Sequence, residues 1–190
     1  MTRPGQVRII GGMWRGRKLA VPSLAELRPT GDRIRETLFN WLSPIIGGSY
    51  CLDAFAGSGA LGFEALSRGA AHATLIDQSA VVVNLLKQEA EILKTTTADI
   101  YQATLPNQLK RPAHLFDIVF LDPPFQSDLL LPMCFYLEEN NLLAKEARIY
   151  VETNTPVNAS TLPNNWEVIK AKKTGGVAYC LLSRIERQYA

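Results

Sequence analysis

The residues best placed to do chemistry are Asp122-Pro123-Pro124-Phe125, which stand directly after the run Phe116-Asp117-Ile118-Val119-Phe120-Leu121. That near-continuous apolar run has the composition of a central strand buried on both faces. Proline lacks an N–H and confines the residue before it to extended backbone, so Asp122 and Pro123 are held rigidly with their carbonyl groups available as acceptors. A carboxylate, a fixed carbonyl and an aromatic plane together suit a planar base that carries an exocyclic amine. The acceptors take its two N–H bonds and aim the nitrogen lone pair at an electrophile, while Phe125 stacks on the ring. The plainer alternative is a Pro-Pro pair that ends a strand and a phenylalanine that belongs to the core.

A second stretch, Cys51-Leu52-Asp53-Ala54-Phe55-Ala56-Gly57-Ser58-Gly59-Ala60-Leu61-Gly62, has the form of a cofactor loop. An apolar run ends on a carboxylate, a glycine-rich turn follows, and a helical pattern begins, so backbone N–H groups and a helix N-terminus face one ligand. Gly57-x-Gly59-x-x-Gly62, with Asp77 twenty residues after Gly57, also matches the dinucleotide fingerprint. The charge of Asp53 separates the two readings, because it opposes a pyrophosphate but favours the ammonium and sulfonium of S-adenosylmethionine. Asp77 accepts ribose hydroxyls in either case and decides nothing.

These stretches need strands and helices to position them. Tyr50 to Ala54 reads as a strand, Ala60 to Arg68 as a helix closed by Gly69, and Ala73 to Ile76 as a strand ending on Asp77. Ser79 to Leu93 reads as a long helix and Ala98 to Tyr101 as a weaker strand. Residues 128–138 are expected to be helical and Ala147 to Glu152 extended, with Trp166 to Lys172 and Val177 to Leu182 as a terminal hairpin. Strand and helix alternate for most of the length, which predicts an α/β fold with a mainly parallel sheet and antiparallel strands at one end. Asp53, Asp77 and Asp122 then share the carboxyl edge of that sheet, where ligands bind in open α/β folds.

Before this domain, Val7 to Gly12 and Trp14 to Leu19 suggest an extended hairpin-like arm. Arg28 to Leu42 follows, beginning with a turn and continuing as an amphipathic helix with Asp32 as N-cap and with Ile34, Leu38, Trp41 and Leu42 on its apolar face. The net charge of +2 is polarised: residues 1–35 carry eight Lys/Arg against Glu26 and Asp32, a balance of +6, and the remainder carries −4. That asymmetry suggests a polyanionic partner, with a basic arm of no specific role as the competing reading. Arg8, Arg15, Arg17 and Lys18 suit phosphates, and Trp14 suits either stacking on a base or anchoring the arm to the domain. Arg33 and Arg35 lie off the apolar face and oppose the helix dipole, which calls for compensation by RNA phosphate or an acidic neighbour.

The chain has 190 residues, 47% hydrophobic and 20% charged, which fits one globular domain with a short appendage. It contains neither an apolar run of membrane-spanning length nor a signal-peptide core, so a cytoplasmic protein without membrane contact is expected. Cys51, Cys134 and Cys180 read as small buried hydrophobes rather than disulfide or metal ligands, His72 and His114 have no metal-ligand spacing, and no metal is expected. The function classes left open are an amino-methylating enzyme acting on RNA, one acting on DNA, an NAD-dependent oxidoreductase, and an RNA-binding or ribosome-assembly factor. The absence of an obvious DNA target-recognition domain counts against the second, and the lack of a convincing proton-relay residue against the third.

Several blocks together resemble one family. They are Arg8-Ile9-Ile10-Gly11-Gly12-x-Trp14-Arg15-Gly16-Arg17-Lys18-Leu19, then Arg28-Pro29-Thr30-x-Asp32-Arg33-Ile34-Arg35-Glu36-Thr37-Leu38-Phe39, the loop from Leu52 to Gly62, Asp122-Pro123-Pro124-Phe125, and Gly176-Val177-Ala178-Tyr179. Nearly end to end, the chain resembles the bacterial RsmD-type 16S rRNA (guanine-N2)-methyltransferases. The resemblance implies a seven-stranded class I (Rossmann-like) methyltransferase domain over 31–190, preceded by an RNA-contacting arm over 1–30, in a monomer. It implies S-adenosylmethionine as methyl donor, leaving as S-adenosylhomocysteine, and the N2 of a guanine in 16S rRNA of an assembled or assembling small subunit as target. On that pattern Asp53, Phe55, Ala56, Gly57, Ser58, Gly59, Asp77, Ala103 and Thr30 hold the cofactor, and Asp122, Pro123 and Phe125 hold the base. Family members often place Asp or Asn against the adenine amine after the third strand; here Gln102 takes that place, with Asp99 as the rival if the strand is shifted.

Overall fold

The computed structural model describes residues 5–21, 31–124 and 126–185. Thr30 and Phe125, both expected at the site, lie outside the described residues. In chain order the elements are β1 (Gln6–Arg8), β2 (Lys18–Ala20), α1 (Asp32–Leu42), β3 (Tyr50–Asp53), α2 (Ala60–Ser67), β4 (His72–Asp77) and α3 (Ala80–Ile92). They continue with β5 (Ala98–Gln102), β6 (Phe116–Leu121), α4 (Leu130–Glu139), β7 (Leu143–Thr153), a short 3₁₀ turn (Ala159–Thr161), β8 (Trp166–Thr174) and β9 (Val177–Arg184).

Seven strands form one sheet in the order β5-β4-β3-β6-β7-β9-β8. β5, β4, β3, β6 and β7 run parallel, and β9 pairs antiparallel with both β7 and β8. The expected strands and helices are present, and their periodicity explains why. β6 has no polar face: Ile118 and Phe120 join the core on one side of the sheet and Val119 and Leu121 the core on the other, all completely buried. α3 is capped by Ser79, whose Oγ accepts from the Val82 amide, and it buries Val82, Val83 and Leu86. All three cysteines are free and buried; burial pushes the Cys51 and Cys134 thiols up to about 12 and that of Cys180 to about 11.

β1 and β2 form a separate antiparallel hairpin, with Val7 opposite Leu19. It is docked by side chains of the main domain. Glu64 accepts from the Ile10 and Gly11 amides at 2.7 and 2.8 Å, and Glu89 accepts from Ala20 at 2.9 Å. Ser67 accepts from Met13 through its carbonyl and from Trp14 through its hydroxyl, and that hydroxyl donates to the Gly11 carbonyl. Gly12 is required here: its φ is +77°, and a Cβ would sit 1.8 Å from the Ser67 carbonyl oxygen.

Two expectations for α1 are corrected. Asp32 is the first helical residue rather than a side-chain cap; Gly31 holds the N-cap position without a side-chain bond, and the Asp32 carboxylate accepts from Arg35 Nη2 at 2.7 Å. Arg35 is completely buried instead of lying off the packed face. Its Nη2 also donates to the Arg8 carbonyl at 2.7 Å, and its Nη1 lies 3.6 Å from the buried Glu64 carboxylate. Compensation therefore comes from acidic neighbours, and the enclosed guanidinium offers no face to an RNA phosphate. Arg33, by contrast, is exposed.

Candidate active site

The chain passes from β3 outward through β4 to β5 and then returns to lay β6 on the other side of β3, so strand order reverses between β3 and β6. A crevice outside the carboxyl ends of the strands at such a switch point is the favoured ligand position of open α/β sheets. A cavity of about 410 Å³ lies there. It falls within the range of roughly 300–1,000 Å³ usual for small-molecule sites. Its walls bring together Asp53, Phe55, Ala56, Gly57 and Ser58 after β3, Asp77 and Gln78 after β4, Ala103 to Leu105 after β5, and Asp122 and Pro123 after β6. Four strand ends separated widely in sequence thus meet at one opening.

The turn after β3 is fixed from both sides. The Ala54 amide donates to the Phe120 carbonyl and that of Ala56 to the Ile76 carbonyl, which ties the loop to β6 and β4. Asp77 bridges it to α3, since one carboxylate oxygen accepts from Gly57 at 3.1 Å and the other from Ser79 at 2.9 Å. Each oxygen keeps further acceptor capacity toward the cavity. The glycines divide their work. Gly57, with φ +51°, lines the cavity. A Cβ on Gly59 would approach Leu86 and Phe63 to 2.6 Å, and one on Gly62 would approach Leu75 to 2.7 Å, so these two let α2 pack closely. Gly59, expected against the cofactor, is not among the cavity-lining residues.

Asp53 is almost completely buried at the cavity floor and accepts from the Gly62 amide at 2.9 Å. Burial raises its pKa to about 7; the Gly62 N–H works against that rise, and the nearby Asp77 charge adds to it. Since the folded protein holds this proton more tightly than the unfolded chain, the group's contribution to stability is complete below about pH 4 and is lost as pH rises through 7. Asp53→Asn keeps an acceptor for Gly62 without the charge. Its melting temperature relative to wild type is therefore expected to climb between about pH 5 and pH 8. Parallel melting curves across that interval would contradict the assignment.

Gln102, expected at the adenine amine, is not among the cavity-lining residues. Gln102 is exposed, its amide nitrogen donates to the Gln78 carbonyl at 2.9 Å, and the cavity wall is made by its successors Ala103, Thr104 and Leu105. Asp99, the rival, stands on β5 opposite Thr74, away from the strand end and outside the lining. In the β6 turn, Ser127 donates from both its amide and its hydroxyl to the Pro124 carbonyl, at 2.8 and 2.7 Å. That carbonyl is committed to the turn, which directs attention to Asp122 and the Pro123 carbonyl as base acceptors.

The composition of the wall also includes a residue that the motifs did not single out. Glu152, near the end of β7, lines the cavity and accepts from the Tyr150 hydroxyl at 2.8 Å. A carboxylate closing the apolar run Ile149-Tyr150-Val151 was the available signal, of the same kind as Asp53 and Asp122. Among the described residues, no group of three or more His, Cys, Asp or Glu is placed to hold a metal ion. No described helix is long and apolar enough to cross a membrane.

The reversed parallel sheet, the glycine turn after β3 and the acceptors after β6 define a class I methyltransferase. The chain belongs to the family described as Conserved hypothetical protein 95, which matches residues 7–183. It is 50% identical over 180 residues to Ribosomal RNA small subunit methyltransferase D of Escherichia coli strain K12, across 95% of this chain and 91% of that protein. It is 50% identical over 181 residues to the protein of the same name from Haemophilus influenzae, across 93% of each. Among solved structures, yhhF of Escherichia coli has a TM-score of 0.87 at 49% identity, covering 96% of this chain and 100% of that one. TrmN of Thermus thermophilus, at 20% identity with a TM-score of 0.62 over 80% of this chain and 48% of its own, shares the fold alone.

Proposed function

We propose that the chain transfers a methyl group from S-adenosylmethionine to the exocyclic N2 of a guanine in 16S rRNA, on the assembled or assembling small subunit in the cytoplasm. The observation that carries this reading is the placement of Asp122 and Pro123 on the same cavity as Asp53, Gly57 and Asp77. The names of the two half-identical relatives support small-subunit ribosomal RNA as the substrate.

The cavity suits that cofactor. Asp77 is assigned to the ribose hydroxyls, the lining residues Phe55, Ala103 and Leu105 to apolar contact, and Gly57 and Ser58 to close backbone approach. Asp53 provides negative charge near the floor; a cationic ligand favours its ionised form, so binding of S-adenosylmethionine should tighten as pH rises through 7. The cofactor supplies an electrophilic methyl group. The protein's own task is to hold the amine: Asp122 and the Pro123 carbonyl accept its N–H bonds, Phe125 stacks on the ring, and the surplus proton leaves through Asp122 or to water.

A paired guanine is inaccessible to such a cavity, so the target is a loop nucleotide or one flipped from its helix. Arg8, Arg15, Arg17, Lys18 and Arg33 are exposed and are assigned to RNA phosphates. Trp14 is half-buried against the core, which favours its anchoring role and leaves only part of the indole to RNA. The test is to incubate the protein and labelled S-adenosylmethionine with unmethylated small subunits, bare RNA and DNA, and to identify the labelled nucleoside. N2-methylguanosine from subunits is expected; label in DNA alone would overturn the reading.

A further inference from the structure

We propose that Glu152 reads the N1–H of the target base and so makes the site selective for guanine. The proposal rests on the guanine-N2 reading and deepens it.

An acceptor pair for an exocyclic amine does not choose among bases, because adenine and cytosine carry such an amine too. The difference lies in the neighbouring ring atom. Beside its amine guanine presents N1–H, a donor, whereas adenine N1 and cytosine N3 are acceptors. A second acceptor next to Asp122 therefore completes a match to guanine and meets the other two bases lone pair to lone pair.

Glu152 is where that acceptor has to be. β6 and β7 are adjacent parallel strands, with Leu121 opposite Val151, so Asp122 and Glu152 emerge side by side at the carboxyl edge. Both line the cavity. Neighbouring strands lie about 4.8 Å apart, a spacing suited to contacting adjacent groups on one base edge. Glu152 is only 4% exposed and its carboxylate accepts from the Tyr150 hydroxyl at 2.8 Å; Tyr150 itself is completely buried. That bond helps to fix the direction of the carboxylate, a group that can accept several hydrogen bonds at once. The Tyr150 phenol is raised well above its ordinary value, first by burial and then by Glu152, with Asp122 adding to the effect. Both carboxylates thus act on one buried phenol.

The test compares small subunits reconstituted with 16S rRNA that carries, at the methylated position, either guanine or 2,6-diaminopurine. The latter keeps the N2 amine but has an acceptor at N1. Wild type is expected to favour guanine by roughly 10²-fold or more in kcat/KM, since a buried acceptor facing a lone pair is left unmatched. Glu152→Gln, whose amide both donates and accepts, is expected to cut that ratio at least about tenfold while leaving affinity for S-adenosylmethionine within about twofold. Glu152→Asp retains the charge and should keep the preference at reduced turnover, which separates recognition from loss of folding. An unchanged ratio in Glu152→Gln would overturn the proposal. A wild-type enzyme that places no methyl group on guanine would instead overturn the functional reading beneath it.

Discussion

Asp122→Ala is expected to lower the single-turnover rate of methyl transfer by roughly 10²–10³, while the dissociation constant of S-adenosylmethionine stays within about twofold. The separation follows from position. Asp53, Gly57 and Asp77 stand at the ends of β3 and β4, and Asp122 stands apart from them at the end of β6 on the same cavity. An acceptor that orients the amine gains strength as positive charge develops on the attacking nitrogen, so its loss falls on the transition state more than on ground-state binding. The alanine variant keeps Pro123 and Pro124, so the rigid turn and its Ser127 bonds remain. Asp122→Asn retains one carbonyl acceptor without the charge and should fall between, about tenfold below wild type. Rapid-quench methylation and calorimetric titration measure the two quantities independently. Near-normal turnover by the alanine variant would remove Asp122 from the reaction; a matched loss of cofactor affinity would reassign it to cofactor binding.

The sheet and the main wall of the cavity were legible because both follow from local sequence. A near-continuous apolar run such as Phe116–Leu121, broken only by Asp117, fits a strand covered on both faces, and a carboxylate at the end of such a run marks the sheet edge. What escaped reading depends on partners distant in sequence. Gly59 and Gly62 look like cofactor glycines, yet the atoms that forbid a Cβ there belong to Phe63, Leu86 and Leu75, and only the packing of α2 discloses this. Arg35 breaks the apolar pattern of α1, and a pattern cannot show a buried carboxylate contributed by α2. Gln102 was assigned by strand-end alignment, but its amide turns to the Gln78 carbonyl and leaves the wall to Thr104 and Leu105. Glu64 did leave a trace, as the one charged residue in the helix Ala60–Ser67.

Glu64→Leu is expected to destabilise the protein by roughly 3–5 kcal/mol, the usual cost of removing one member of a buried ionic group. The carboxylate is completely buried and serves four groups: the Ile10 and Gly11 amides, Arg68 Nε at 2.7 Å, and Arg35 Nη1 at 3.6 Å. Leucine fits the apolar helix but leaves two arm amides unpaired and the Arg35 charge enclosed. Arg35 is already poorly satisfied, since its buried Nε and Nη1 have no hydrogen-bond partner among the described residues. Arg35→Met should therefore cost much less: Glu64 keeps Arg68 and both amides, and the partners lost are the Arg8 carbonyl and the exposed Asp32. The double variant should be more stable than Glu64→Leu alone, because the charge that suffers from the loss of Glu64 is gone. Urea unfolding gives the three free energies, and amide hydrogen exchange at Ile10 and Gly11 reports whether the arm is released first. Equal costs for the two single variants would mean that the pair is not coupled. Release of the arm without global unfolding should raise KM for RNA with little change in kcat, since the same hairpin presents Arg8, Arg17 and Lys18 to solvent.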